Sequence, residues 1–152
     1  MTKRAVLAAM LTACALGSGC HRQPAAPKVA VDRAWVRMPA LAGGSAAGYF
    51  TATSSTGDRL LAVTAPGARV ELHESMTERG MTMMKPLAAV ALPADRKVAF
   101  APGGRHLMIF GLDAKAKPRD RIALTFHFGS APPVTAPARL VGPGEGPPGD
   151  GD

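Results

Sequence analysis

From Val29 onward the chain is a series of short apolar–polar alternations broken by turn residues. "DRIALTFHFG" is the clearest, with Ile122, Leu124, Phe126 and Phe128 on one side of a period-two repeat. "VAVDRAWVRMP" alternates through Val29, Val31, Ala34 and Val36 but slips at Asp32–Arg33, which predicts a bulge. "SAAGYFTATSS" follows a Gly43–Gly44 turn, and "DRLLAVTAP" and "ARVELHESM" flank Pro66–Gly67. "MTMMKPLAAVAL" restarts the extended pattern after Arg79–Gly80, and "RKVAFAPGG" turns straight into "RHLMIFGL". "PVTAPARLV" carries a proline within an apolar run and is expected at a sheet edge. Eight or nine short strands without βαβ alternation predict an all-β sandwich of antiparallel sheets.

Both ends depart from this pattern. "MTKR", the apolar run "AVLAAMLTACAL" and the small residues of "GSGC" make residues 1–20 a signal peptide of lipoprotein type, with Cys20 as the acylated N-terminus. Cleavage by the ordinary signal peptidase, between Ala15 and Gly19, is the alternative. Residues 21–28, "HRQPAAPK", are expected to be a flexible tether and the Gly/Pro-rich residues 141–152 a disordered tail. The folded domain is therefore placed at 29–140. No other stretch is long and apolar enough to span a bilayer. The protein is expected in the periplasm, held to the cell envelope through its N-terminal lipid anchor only.

Charge and cysteine narrow the function. The net charge of +7 comes from scattered single residues with no aromatic interleaving, so nucleic acid is not an expected partner. The two cysteines, Cys14 and Cys20, both lie in the leader, and the domain has none. A disulfide, a thiolate metal site, a cysteine nucleophile and a blue-copper centre are thereby excluded from it. Walker and GxGxxG motifs are absent, and Glu74 beside His73 belongs to no HExxH. No enzyme is indicated.

The chemistry is concentrated in "ELHESMTERGMTMMK", where one histidine and four methionines fall in fifteen residues, and in "RHLMIF". His106 and Met108 are two apart on a strand and share a face. "ARVELH" and "MTMMKP" read as hairpin arms around "ESMTERG", which brings His73 near Met84. If that hairpin lies against the His106 strand, two imidazoles and two thioethers surround one point. Such a neutral, soft donor set suits Cu(I) and serves zinc, calcium or magnesium poorly. Met83 should face away from Met84 as packing. Met76 and Met81, placed in the loop, are candidate auxiliary donors or a hydrophobic docking lip. His127 reads as exposed, His21 as an opportunistic Cu(II) ligand, and Trp35 as core or a sheet-face anchor.

The spacing of His73, ten residues, Met84, twenty-one residues, His106, one residue and Met108 resembles the copper-binding motif of the periplasmic copper chaperone family PCuAC. "DRAWVRMP", "AAGYFTATS", "DRLLAVTAPGARVELHE", "MKPL", "PGGRHLMIFGL" and "DRIALTFHF" are similar to that family's segments, in order, from Val29 to Arg139. The resemblance implies a cupredoxin-like antiparallel β-sandwich of Greek-key type. It also implies Cu(I) bound by His73, Met84, His106 and Met108, with Cu(II) bound as well in several members. The implied task is delivery of copper to the copper subunit of cytochrome c oxidase, directly or with a Sco-type protein, by a monomer. A periplasmic copper-storage or copper-tolerance protein is the alternative, and a scaffold lipoprotein without metal the remaining one.

Overall fold

The computed structural model describes residues 28–149. The expected leader with Cys20, the expected tether through Pro27 and the last three residues lie outside them. The described chain forms ten strands: β1 (Val29–Arg37), β2 (Ala46–Ser54), β3 (Asp58–Thr64), β4 (Arg69–Glu78), β5 (Met81–Pro86), β6 (Val90–Leu92), β7 (Lys97–Phe100), β8 (Arg105–Phe110), β9 (Arg121–Phe128) and β10 (Val134–Val141). There is no helix among the described residues.

Hydrogen bonding links the strands in the order β5-β4-β8-β2-β1-β10-β9-β3-β6, with β7 on β2. The turn into a second layer happens along β2. Its first residues, Ala46 to Gly48, pair with β8, and Phe50 to Thr53 on the same strand pair with β7. The sheet closes on itself so that β3 and β4, which are not ladder neighbours, lie against each other. Between the layers sits the core of Phe50, Phe126, Leu60, Leu107, Ile109, Leu124 and Leu140, all essentially without solvent exposure. Phe50 stacks on Phe100 at 4.2 Å and meets Phe126 edge-on at 4.7 Å, both within the favourable range for ring pairs.

The period-two alternation predicts the buried face of β9 correctly, and the bulge in β1 lies where the pattern slips, but Met83, expected as packing, is 51% exposed. The β1–β2 register shifts between Asp32 and Trp35, and Arg33 takes a left-handed φ of 52° to absorb the extra residue. Three expectations are corrected. "MTMMKPLAAVAL" is two strands, because Pro86 ends β5 and the chain crosses to the far end of the sheet order as β6. β10 is interior, between β9 and a parallel β1. Pro137 is tolerated there because it pairs with Ala123 of β9 two residues before the β1 ladder begins at Arg139, so only one neighbour asks for hydrogen bonds. Finally, "ESMTERG" is no open loop: β4 and β5 stay paired out to Glu78 and Met81, around the two-residue turn Arg79–Gly80. Both turn residues have positive φ, 52° and 80°, the conformation that matches the twist of a tight hairpin.

The segment after β10, expected to trail as a tail, makes hydrogen bonds as far as Glu145. Glu145 Oε2 accepts from the Gly142 N–H at 2.6 Å, and Arg37 Nε donates to the Glu145 carbonyl at 2.8 Å.

Candidate metal centre

The site is built on the outer face of β4, β8 and β5, away from the main core. Leu72 and Leu107 point inward as a cross-strand pair, so the residues alternating with them point out. His73 and His106 are direct partners in the β4–β8 ladder, with ring centroids 6.0 Å apart. Met108 stands opposite Glu71 on the same face. Met84 stands opposite Ser75, two residues from His73, which also puts it on this face. The ladder continues in register from Glu71 to Met108 to Ala47 to Arg37, so β2 and β1 extend the surface.

Met84, His106, Met108 and Ser75 line one open depression of about 320 Å³, with Arg37, Tyr49 and the Pro102–Gly103 turn as its other walls. His106 is buried to 6% exposure, whereas Met84 is 59% exposed at the rim. Tyr49 and Trp35 form a small cluster with Val141 outside the main core, their rings 4.4 Å apart. Arg37 lies over both, at 5.3 Å from Trp35 and 5.6 Å from Tyr49, an arrangement stabilised by the ring quadrupoles.

Hydrogen bonds set the tautomer of each histidine. The His106 Nδ1–H donates to the Gly104 carbonyl at 3.0 Å. A carbonyl only accepts, so Nδ1 carries a proton, and in the neutral ring Nε2 is the nitrogen with the lone pair. The same carbonyl also accepts from the Ser75 N–H at 3.1 Å, which fixes the turn against β4. In His73 the arrangement is reversed: Nε2–H donates to Glu71 Oε2 at 3.0 Å, and Arg69 holds the other oxygen of that carboxylate. His73 Nδ1 is left buried with no hydrogen-bond partner. A buried acceptor without a partner is costly in a native protein, and a metal ion would satisfy it. The donor set fits a soft ion on its own chemistry: two neutral imidazoles and two thioethers. Among the described residues no three His, Cys, Asp or Glu side chains are grouped to hold a harder metal.

The other sequence candidates fall elsewhere. Met76 pairs with Met83 and Met81 with Glu78, and all four stand on the opposite face of the hairpin from Met84. Glu74 is also on that face, paired with Arg105 at 3.2 Å. His127 bonds Thr64 at 3.1 Å, far along β9. Cys20 and His21 lie outside the described residues. Glu71 and the Gly104 carbonyl were not singled out in the sequence, although Glu71 stands two residues before His73 and therefore shares its face.

This arrangement can be compared with known proteins. Residues 29–139 match a family model described as "Putative lipoprotein LpqE-like". A protein of Leifsonia xyli subsp. xyli (strain CTCB07) named "Putative lipoprotein Lxx21020" is 31% identical over 139 residues, which span 85% of this chain and 82% of that one.

The chain belongs to the LpqE-like family.

Solved structures agree with the family on the fold. The copper-bound PCuAC domain from PmoF2 is 26% identical, with a TM-score of 0.62, covering 78% of this chain and 97% of that one. The apo form of the PmoF2 domain is 25% identical, with a TM-score of 0.64, covering 80% and 95%. Apo-DR1885 from Deinococcus radiodurans, 22% identical with a TM-score of 0.58 over 96% and 97%, shares the fold. The LpqE-like chain thus has the cupredoxin-like β fold of PCuAC domains, as the sequence resemblance implies.

Proposed function

We propose that this protein is an exported copper chaperone that holds one Cu(I) between His73, His106, Met84 and Met108. The observation that carries the reading is the pair of facing imidazoles, each oriented by a hydrogen bond at one nitrogen, with His106 in one depression beside both thioethers. Thioether and neutral imidazole are donors for a soft, monovalent ion. Arg37 in the wall of the depression adds to that preference, because it repels a divalent ion twice as strongly as a monovalent one. The copper-bound state of the PmoF2 domain supports copper as the cargo.

Handover needs ligands that a partner can displace one at a time. Met84 meets that need: it lies on an edge strand, is largely exposed, and is held by a flexible side chain. His106, buried and fixed by the Gly104 carbonyl, would let go last. Cu(I) is passed on to the copper subunit of cytochrome c oxidase, directly or through a Sco-type protein. The chaperone works in the periplasm as a lipid-anchored protein, a location supported by the lipoprotein family and relative.

Copper K-edge X-ray absorption on the Cu(I)-loaded protein tests the site, compared with a Met84→Leu, Met108→Leu double variant. A mixed sulfur and nitrogen shell that loses its sulfur in the variant is the expected result. A nitrogen and oxygen shell unchanged by the substitutions would remove the chemical basis of the proposal.

A further inference from the structure

The β4–β5 hairpin carries methionine on both faces. Met84 serves the depression, while Met76 and Met83 are direct cross-strand partners on the other side. Met81, two residues from Met83 along β5, shares their face. Direct partners on one face have Cβ atoms about 5 Å apart and diagonal neighbours about 7–8 Å, distances that long side chains span. The three sulfurs can therefore converge on one point without any change in the backbone.

Packing does not account for these side chains. Met76, Met81 and Met83 are 45%, 65% and 51% exposed. Of the six large hydrophobic residues exposed among the described residues, four are methionines of this one hairpin, the others being Leu41 and Leu61. Glu78, on the same face of β4 and directly opposite Met81, adds negative charge beside the sulfurs, whereas Glu74 on that face is paired with Arg105. Three thioethers with no imidazole or thiolate form a donor set for a soft monovalent cation and for little else.

We infer that Met76, Met81 and Met83 form a second site for Cu(I), made only of thioethers, on the hairpin face opposite His73 and His106. Without an imidazole it binds more weakly than the first site. Its place near the hairpin tip makes it a point where the ion can be taken up or released. The inference assumes that Cu(I) reaches the protein, but it does not require the His/Met site to be the one that holds it.

The test titrates the full chain with Ag(I), a soft ion of the same charge and preference, and follows ¹³C-labelled methionine methyl groups by NMR. The wild type is compared with a Met76→Leu, Met81→Leu, Met83→Leu variant and with a His73→Ala, His106→Ala variant. The wild type should take up about two equivalents, with Met84 and Met108 responding to the tighter and Met76, Met81 and Met83 to the weaker. The triple variant should lose only the weaker event, and the double-histidine variant should keep it. Methyl groups of Met76, Met81 and Met83 that never respond would overturn the inference and leave the patch to contact with a protein partner. A triple variant that still takes up the weaker equivalent would overturn it as well. A missing response at Met84 and Met108 alone counts against the His/Met site and leaves this one standing.

Discussion

His73 and His106 face each other across the β4–β8 ladder and offer different nitrogens, Nδ1 from one and Nε2 from the other. The asymmetry follows from where each ring finds its hydrogen-bond acceptor: a carboxylate two residues before His73, and a backbone carbonyl two residues before His106. Two rings 6.0 Å apart, each already oriented, lose little conformational freedom when an ion joins them. Alanine at either histidine should lower Cu(I) affinity by more than about a hundredfold, beyond the range typical of an outer-shell partner. Met76→Leu should leave the tight site within about threefold, since Met76 is on the other face. Competition with a chromophoric Cu(I) chelator measures all three, and equal losses would sink the assignment.

Glu71 acts on the metal only through His73. Its carboxylate keeps the imidazole proton on Nε2 and is itself held by Arg69. Glu71→Ala should weaken Cu(I) binding by about tenfold, the lower end of outer-shell effects, with little change in the thermal midpoint. An unchanged affinity in the same chelator assay would show that the ring needs no orienting partner.

The placement of His106 and Met108 on one face could be read from the sequence, because residues two apart on any strand share a face. The approach of the "MTMMK" arm to His73 was equally legible, since turn chemistry at Arg79–Gly80 marks a hairpin. The exact reach of the pairing was not. Polar "ESMTERG" looks like a loop, and only the register shows it as paired strand with Met76 and Met81 turned away from Met84. Pro137 misled in the same way: a proline suggests an edge, but the parallel partner β1 comes from more than a hundred residues earlier in the chain and leaves no local trace. Glu71 was hidden because carboxylates are ordinary on exposed strands. Its role appears only when the ring beside it is seen to lack any other donor contact.

Gly48 is a steric requirement for the strand that carries the ligands. A Cβ there would sit 3.1 Å from Leu107 Cβ and Cδ1 and 3.3 Å from Ile109 Cδ1, and Leu107 lies between His106 and Met108. Gly48→Ala should destabilise the fold by about 1–3 kcal/mol through overpacking. Urea unfolding with an unchanged slope and a lower midpoint is the expected result, and an unshifted midpoint would show that β8 moves aside freely.

Asp58 ties the start of β3 to the turn after β9. Burial disfavours its charge, but backbone N–H groups of Ala131, Arg59, Ser130 and Gly129 outweigh that and hold its pKa below the ordinary 3.8. A lowered folded-state pKa means that the ionised carboxylate stabilises the fold above pH 3.8, and that this contribution fades as pH falls through the lower folded value. Wild-type stability should therefore drop between about pH 5 and pH 2 by more than that of Asp58→Asn. Parallel pH profiles of the two proteins would remove Asp58 from the account.

The two-residue turn at Arg79–Gly80 has a consequence for how the chain chooses its sulfurs. With β4 running five residues past His73 and β5 reaching Met84 four residues into its own length, the spacing of ten between ligands is simply the count around that bend. Pairing parity decides which thioethers see the histidines. One extra residue at the bend, pushing β5 along by a single step, would turn Met84 to the opposite face and bring Met83 and Met81 round to the imidazoles. The hairpin thus works as a selector with two settings, and its shortest segment, which touches no metal, determines which setting the protein uses.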